Sequence, residues 1–168
     1  LCGGAILAPA MAFGSGSAAA AADPWVDAAA IVARLRPPAF PDREFAVTAF
    51  GAVGDGRTDC TKAIAAAIKA CNRAGGGHVV VPAGRFATGG IRLRRNVDLH
   101  VATGATLLFS TDPRRYLPTV LTRFEGNDCY NYAPLIYAHG IGNIAVSGGG
   151  TLDGRAGNTA WWPWRGDP

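Results

Sequence analysis

Lysine is nearly missing from this 168-residue chain: only Lys62 and Lys69 occur, so almost all of its positive charge is arginine. No Lys/Arg run exceeds two residues, and a nucleic-acid role therefore lacks both a motif and a concentrated basic patch. The net charge of +4 is open to two readings: attraction to an acidic polymer, or a compositional bias toward Ala, Gly, Arg and Pro. Cysteine is sparse, with Cys2, Cys60, Cys71 and Cys129, and no CxxC pair of the zinc type is present. Cys60 and Cys71 fall on one predicted helix, about 16 Å apart at 1.5 Å per residue, beyond disulfide reach. They are expected to be small, reduced, buried thiols. No GxxxxGK[ST] or GxGxxG leads from a strand into a helix, so the run Gly148 to Gly150 is not a phosphate cradle. Nothing in the cysteines, acids or glycines calls for a metal or a cofactor.

What the chain has in quantity is glycine, 23 residues, together with 49% hydrophobic and 17% charged residues. So much glycine is costly in a helical protein and natural at the corners of a strand-and-turn solenoid. The organising stretch is residues 45–88. It reads as a short strand at Phe45, a turn with Asp55 among Gly51, Gly54 and Gly56, and a helix from Cys60 to about Arg73 capped by Thr58 or Asp59. Ala63, Ile64, Ala67, Ile68 and Cys71 form one apolar stripe, and Gly75 to Gly77 end the helix. Short strands follow at 79–81, 86–93, 97–101, 106–109, 135–137, 144–147 and 151–152, separated by Gly, Asn or Pro turns. Strands of this kind suit either a parallel β-helix or an antiparallel sandwich, because both give the same pattern. Residues 110–133 interrupt the rhythm with a long polar and aromatic excursion, where a rigid scaffold carries binding groups.

The remaining regions are simpler. Residues 1–22 are apolar or small without a charge, as in the hydrophobic and cleavage regions of an export signal, which predicts a secreted or periplasmic protein and no membrane span. Residues 23–44 are expected to be a linker holding one short helix before PPAFP stops it. Residues 45–168 make the main body.

The runs FGAVGDGRTDCTKAIAAAIKAC and AGGGHVVVPAGRFATGGIRLRRNVDLHVATGATLLFS resemble the opening of glycoside hydrolase family 28, the polygalacturonase group. DPRRYLP, TRFEG, NYAPLIYA, NIAVSGGGTLDG and WWPW extend the resemblance. It implies an all-β fold, a right-handed parallel β-helix like that of pectate lyases with an N-terminal capping α-helix, here only in its first coils. It also implies a monomeric enzyme that hydrolyses pectin-type polyuronides with inversion, on acidic plant cell-wall polysaccharide. A non-catalytic β-helix for attachment and a polysaccharide lyase are the alternatives, although no acidic calcium cluster of the kind a lyase uses is visible.

Inverting hydrolysis needs an acid and a water-activating carboxylate about 6.5 to 9.5 Å apart. The family's Asn-Thr-Asp, Asp-Asp, Gly-His-Gly and Arg-Ile-Lys motifs are absent here, so the resemblance places the catalytic residues after Pro168 and implies that this stretch alone is inactive. Ala138-His139-Gly140 imitates the His triplet but reads as a turn or surface histidine. Asp55, Asp59 and Asp153 read as turn and cap residues. In the excursion, Arg123, Glu125, Asn131 and Tyr132 combine a carboxylate-binding fork with hydrogen-bonding and stacking groups. They are candidates for uronate binding or, alternatively, for a buried Arg–Glu pair that anchors the loop.

Overall fold

The computed structural model describes residues 24–165, and the charge-free leader with Cys2 lies outside them. Residues 24–37 and 38–165 fall into separate compact units. The first holds one helix, α1 (Pro24–Arg34), with proline in its first turn, where a missing N–H costs nothing.

The second unit is a stack of three-sided coils. Each full side is a parallel sheet. One is built from β1 (Glu44–Ala46), β3 (Gly77–Val81), β6 (Val97–Val101) and β11 (Ile144–Ser147). The second is built from β2 (Asp55–Asp59), β4 (Gly84–Thr88), β7 (Ala105–Phe109) and β12 (Thr151–Asp153). The third pairs β5 (Ile91–Arg92) with β10 (Ile136–Tyr137). The register carries His78 onto Asp98 and Asp98 onto Ala145, so each turn of the chain lands one strand further along every sheet. Every pairing in these three sheets is parallel, which eliminates the antiparallel sandwich. Asn96 and Asn143 occupy the same corner on successive coils with φ of 61° and 53°, and the Asn143 amide donates to Asn96 Oδ1 at 3.1 Å. Short amide side chains tolerate that left-handed backbone while bonding to their neighbour.

Inside, Val79, Phe86, Val97, Leu99, Leu107 and Phe109 interdigitate from successive strands. Each such side chain contributes about 1.5–3 kcal/mol on burial. The helix α2 (Thr61–Arg73) covers one end, burying Ile64, Ala67, Ile68 and Cys71, the predicted stripe. Cys60 and Cys71 are both buried free thiols.

Three details differ from the sequence expectation. Asp55–Asp59, read as turn and helix start, is strand β2, and Cys60, read as helix interior, is the N-cap residue. The turn chemistry is nevertheless real. The β2–β4 register shifts between Asp55 and Asp59, and in that bulge Asp55 accepts from the Arg57 and Thr58 backbone N–H at 2.8 Å and from the Thr58 hydroxyl at 2.7 Å. Next, the expected strand at 86–93 is broken into β4 and β5 at Gly89 and Gly90, where the backbone passes close to Arg115 and Tyr116 of the excursion. Finally, the excursion is ordered rather than a plain loop. It starts with a 3₁₀ turn (Pro113–Tyr116) capped by Asp112, and continues as an antiparallel hairpin of β8 (Val120–Phe124) and β9 (Asn127–Asn131).

Candidate active-site groove

The third sheet, β5 with β10, is only two residues wide, so its outer face is set by single side chains. Ile91 points into the core, and Arg92 therefore points out, opposite Tyr137 in the register. The Arg92 guanidinium lies 5.8 Å from the Tyr137 ring centroid and donates to Pro118 O at 3.2 Å. The Tyr137 hydroxyl donates to Leu121 O at 3.3 Å, and its ring stacks on His139 at 6.4 Å with planes 6° apart. His139 is exposed, as its reading as a surface histidine requires.

Tyr137 and His139 form a ridge between two polar hollows. One, of about 390 Å³, is bordered by Asn72, Arg92, Arg94 and Arg95. The other, of about 280 Å³, is bordered by Thr122, Arg123 and Asp128 of the hairpin. Together they make a groove along β5 and β10 with the hairpin as one wall. Among the described residues, its only ion pair is Arg123 with Asp128, 4.0 Å apart and both more than 70% exposed. An exposed pair at that distance contributes little and leaves the Arg123 fork available.

The sequence candidates thus separate. Arg123 sits in the groove with Arg92, Tyr137 and His139. Glu125 occupies the exposed hairpin turn with φ of 49° and forms no ion pair with Arg123, so the buried anchoring pair does not exist. Asn131 ends β9 and accepts from the Tyr132 backbone N–H at 2.7 Å. Tyr132 borders a different, apolar hollow of about 400 Å³ with Tyr116, Pro134, Leu135 and Trp161. Sequence reasoning missed Arg92 and Tyr137. Their signal was the in-out alternation of Ile91-Arg92-Leu93, too short to stand out.

Apart from Asp128 on the groove wall, the following acids are engaged elsewhere. Hydrogen bonds from the Thr58 hydroxyl, then from the Arg57 and Thr58 backbone, lower the Asp55 carboxyl to about 2. Burial pushes Asp59 up, but the Thr61 hydroxyl and N–H together with Arg115 outweigh it, and the carboxyl ends below its ordinary value. Asp112 is held down by Arg114. Asp153 accepts from the Arg155 N–H at 2.8 Å. Asp98 is buried on the outer face of β6, where Oδ2 meets His78 Nδ1 at 2.8 Å and accepts from the Ser147 hydroxyl at 2.8 Å. That network ties β3, β6 and β11 together. Among the described residues no three His, Cys, Asp or Glu side chains gather to hold a metal ion.

Comparison with known proteins agrees with the fold. Residues 45–105 match the family described as rhamnogalacturonase A/epimerase, pectate lyase-like. The exo-poly-alpha-D-galacturonosidase of Dickeya chrysanthemi is 36% identical over 117 residues, 65% of this chain and 19% of that protein. The structure of a hyperthermoactive exopolygalacturonase from Thermotoga maritima superposes with a TM-score of 0.79 and 50% identity, over 83% of this chain and 31% of that one. A family 28 exopolygalacturonase from Yersinia enterocolitica gives 0.60 and 33% identity, over 68% and 21%. This chain therefore spans about a fifth to a third of the length of these relatives. In sequence and in fold, an all-β right-handed parallel β-helix, the chain is a partial polygalacturonase-like protein of glycoside hydrolase family 28.

Proposed function

We propose that this chain forms the polyuronide-holding part of a polygalacturonase-type hydrolase, which cleaves the glycosidic bonds of polygalacturonate with inversion. The observation that carries the reading is the arginine-bordered groove over β5 and β10, on a fold shared with two exopolygalacturonases. Each uronate bears one carboxylate, and the planar guanidinium forks of Arg92 and Arg123 match it bidentately. Tyr137 offers a ring to a sugar face. Glu125, Asn131 and Tyr132 border neither hollow of the groove and have no role in this proposal.

The cleaving groups are assigned elsewhere in the complete enzyme. A general acid must keep its proton near the working pH. Asp55, Asp59 and Asp112 are shifted the opposite way, by bonds that fix turns and caps. We place the catalytic carboxyls on coils that would stack beyond β10, β11 and β12. The charge-free leader supports a secreted or periplasmic location, and among the described residues no helix is long and apolar enough to cross a membrane.

The test is Arg123→Lys in the complete enzyme. The change keeps the charge and removes the fork, so the Michaelis constant on polygalacturonate is expected to rise about fivefold, the equivalent of one modest hydrogen bond. An unchanged Michaelis constant and turnover would return Arg123 to loop structure.

A further inference from the structure

The polar groove does not end at β5. Arg92 and Arg94, which border it, also border a separate hollow of about 330 Å³ against the outer face of α2, whose other walls are Ala65, Ala66, Lys69 and Gly90. The helix turns Ile64, Ala67, Ile68 and Cys71 to the core, which leaves Lys69 on the exposed side. A helical side chain leans back over the preceding turn, so the Lys69 stem lies over Ala65 and Ala66, small residues that keep the surface concave.

Charge is concentrated here without compensation. The α2 sequence TKAIAAAIKACNR contains no acid, so Lys69 has no partner three or four residues away. Among the described residues, the ion pairs are His78–Asp98, Arg114–Asp112, Arg115–Asp59 and Arg123–Asp128, and none involves Lys69, Arg92 or Arg94. Unneutralised cations around a concave wall raise the local concentration of an anionic ligand.

We propose that this hollow is a secondary binding site for the polyuronide chain, which continues from the groove past Arg94 on their shared edge and across the cap helix, where Lys69 holds it. The inference rests on the polyuronide reading of the groove and adds a second contact region to it. A polymer with one carboxylate per sugar reaches both regions at once, whereas a short oligomer fills only the groove, so the site acts through effective concentration. Single-stranded nucleic acid is the less suited polyanion, because the hollow has no aromatic ring on which a base stacks.

The experiment compares the wild-type chain with Lys69→Ala, measuring equilibrium binding of polygalacturonate, a short oligogalacturonate and single-stranded DNA; Lys69 borders the second hollow and not the groove. The proposal expects affinity for the polymer to fall about threefold, as for one exposed ionic contact, with affinity for the short oligomer unchanged. Lys69→Arg is expected to keep most of the polymer affinity, and both variants to keep the wild-type circular dichroism. Equal polymer affinity in wild type and the alanine variant would overturn the secondary site while leaving the groove reading intact. Equal losses for polymer and short oligomer would overturn it too, by making Lys69 part of the groove. DNA binding as tight as polygalacturonate binding, with the same loss, would overturn it by reducing the hollow to a general polyanion patch. A wild-type chain that binds neither galacturonate probe would overturn the groove reading and this inference together.

Discussion

Replacing Gly148 by alanine tests the coil stacking with a magnitude that the structure sets. Gly148 lies in the corner between β11 and β12 with φ of +96°, and an added Cβ would stand 2.1 Å from Val101 O and 2.7 Å from Val101 C on the coil below. Val101 cannot retreat freely. Its carbonyl accepts from the Gly150 N–H at 2.9 Å, and its residue pairs with Val81 on the other side. The left-handed backbone costs a non-glycine residue about 1–2 kcal/mol. Forcing the two coils apart adds about 1–3 kcal/mol, the usual cost of overpacking. A total of about 2–5 kcal/mol is a large part of a stability that is typically about 5–15 kcal/mol. Two controls separate the contributions. Gly126 has φ of +85° with nothing within 4 Å of a Cβ, so Gly126→Ala should cost about 1–2 kcal/mol from backbone alone. Gly142 has open space and no positive φ, so Gly142→Ala should be neutral or slightly stabilising. Urea unfolding followed by circular dichroism measures all three. If Gly148→Ala cost no more than Gly126→Ala, the close approach of the two coils would be refuted.

The other predictions concern the thiols and acid stability. Cys60 and Cys71 are fully buried and burial pushes both thiols up, so native-state alkylation should mark the half-buried Cys129 before either of them, and mass spectrometry showing a Cys60–Cys71 bridge would contradict the helix. Asp55 titrates at about 2 in the folded chain against about 3.9 unfolded, so its contribution is present above pH 4 and is lost as pH falls toward 2. Asp55→Asn should flatten the fall of stability over that window, and an unchanged acid-unfolding curve would count against the bulge network.

The helix was legible because Ile64, Ala67, Ile68 and Cys71 repeat with the helical period, and β3, β6 and β11 because their apolar runs are bounded by Gly, Pro or Asn. The direction of pairing was not legible from pattern, since parallel and antiparallel strands alternate alike; the family resemblance supplied it. β2 was hidden because its sequence, DGRTD, has no apolar residue, and its strand character comes from pairing with β4. The hairpin was hidden for a related reason. Its turn is Glu125-Gly126, both at positive φ, where Asn-Gly is the familiar signal, and its strands carry little apolar alternation. Within the groove, Arg123 was legible as a candidate because it stands in the polar excursion, and the structure sets it on the groove wall. Arg92 and Tyr137 became recognisable only when the register set them opposite each other, because strands of two residues show no period.

The most direct test of the central claim, a β-helix groove that holds an acidic sugar chain through its arginines, is affinity electrophoresis of the 168-residue chain through gels containing polygalacturonate or the same polymer fully methyl-esterified. Esterification removes the carboxylates and leaves the sugar backbone. The chain is expected to be retarded by polygalacturonate, to lose that retardation as salt is raised, and to run freely through the esterified polymer. Equal retardation by both polymers, or none by polygalacturonate at low salt, would contradict the account.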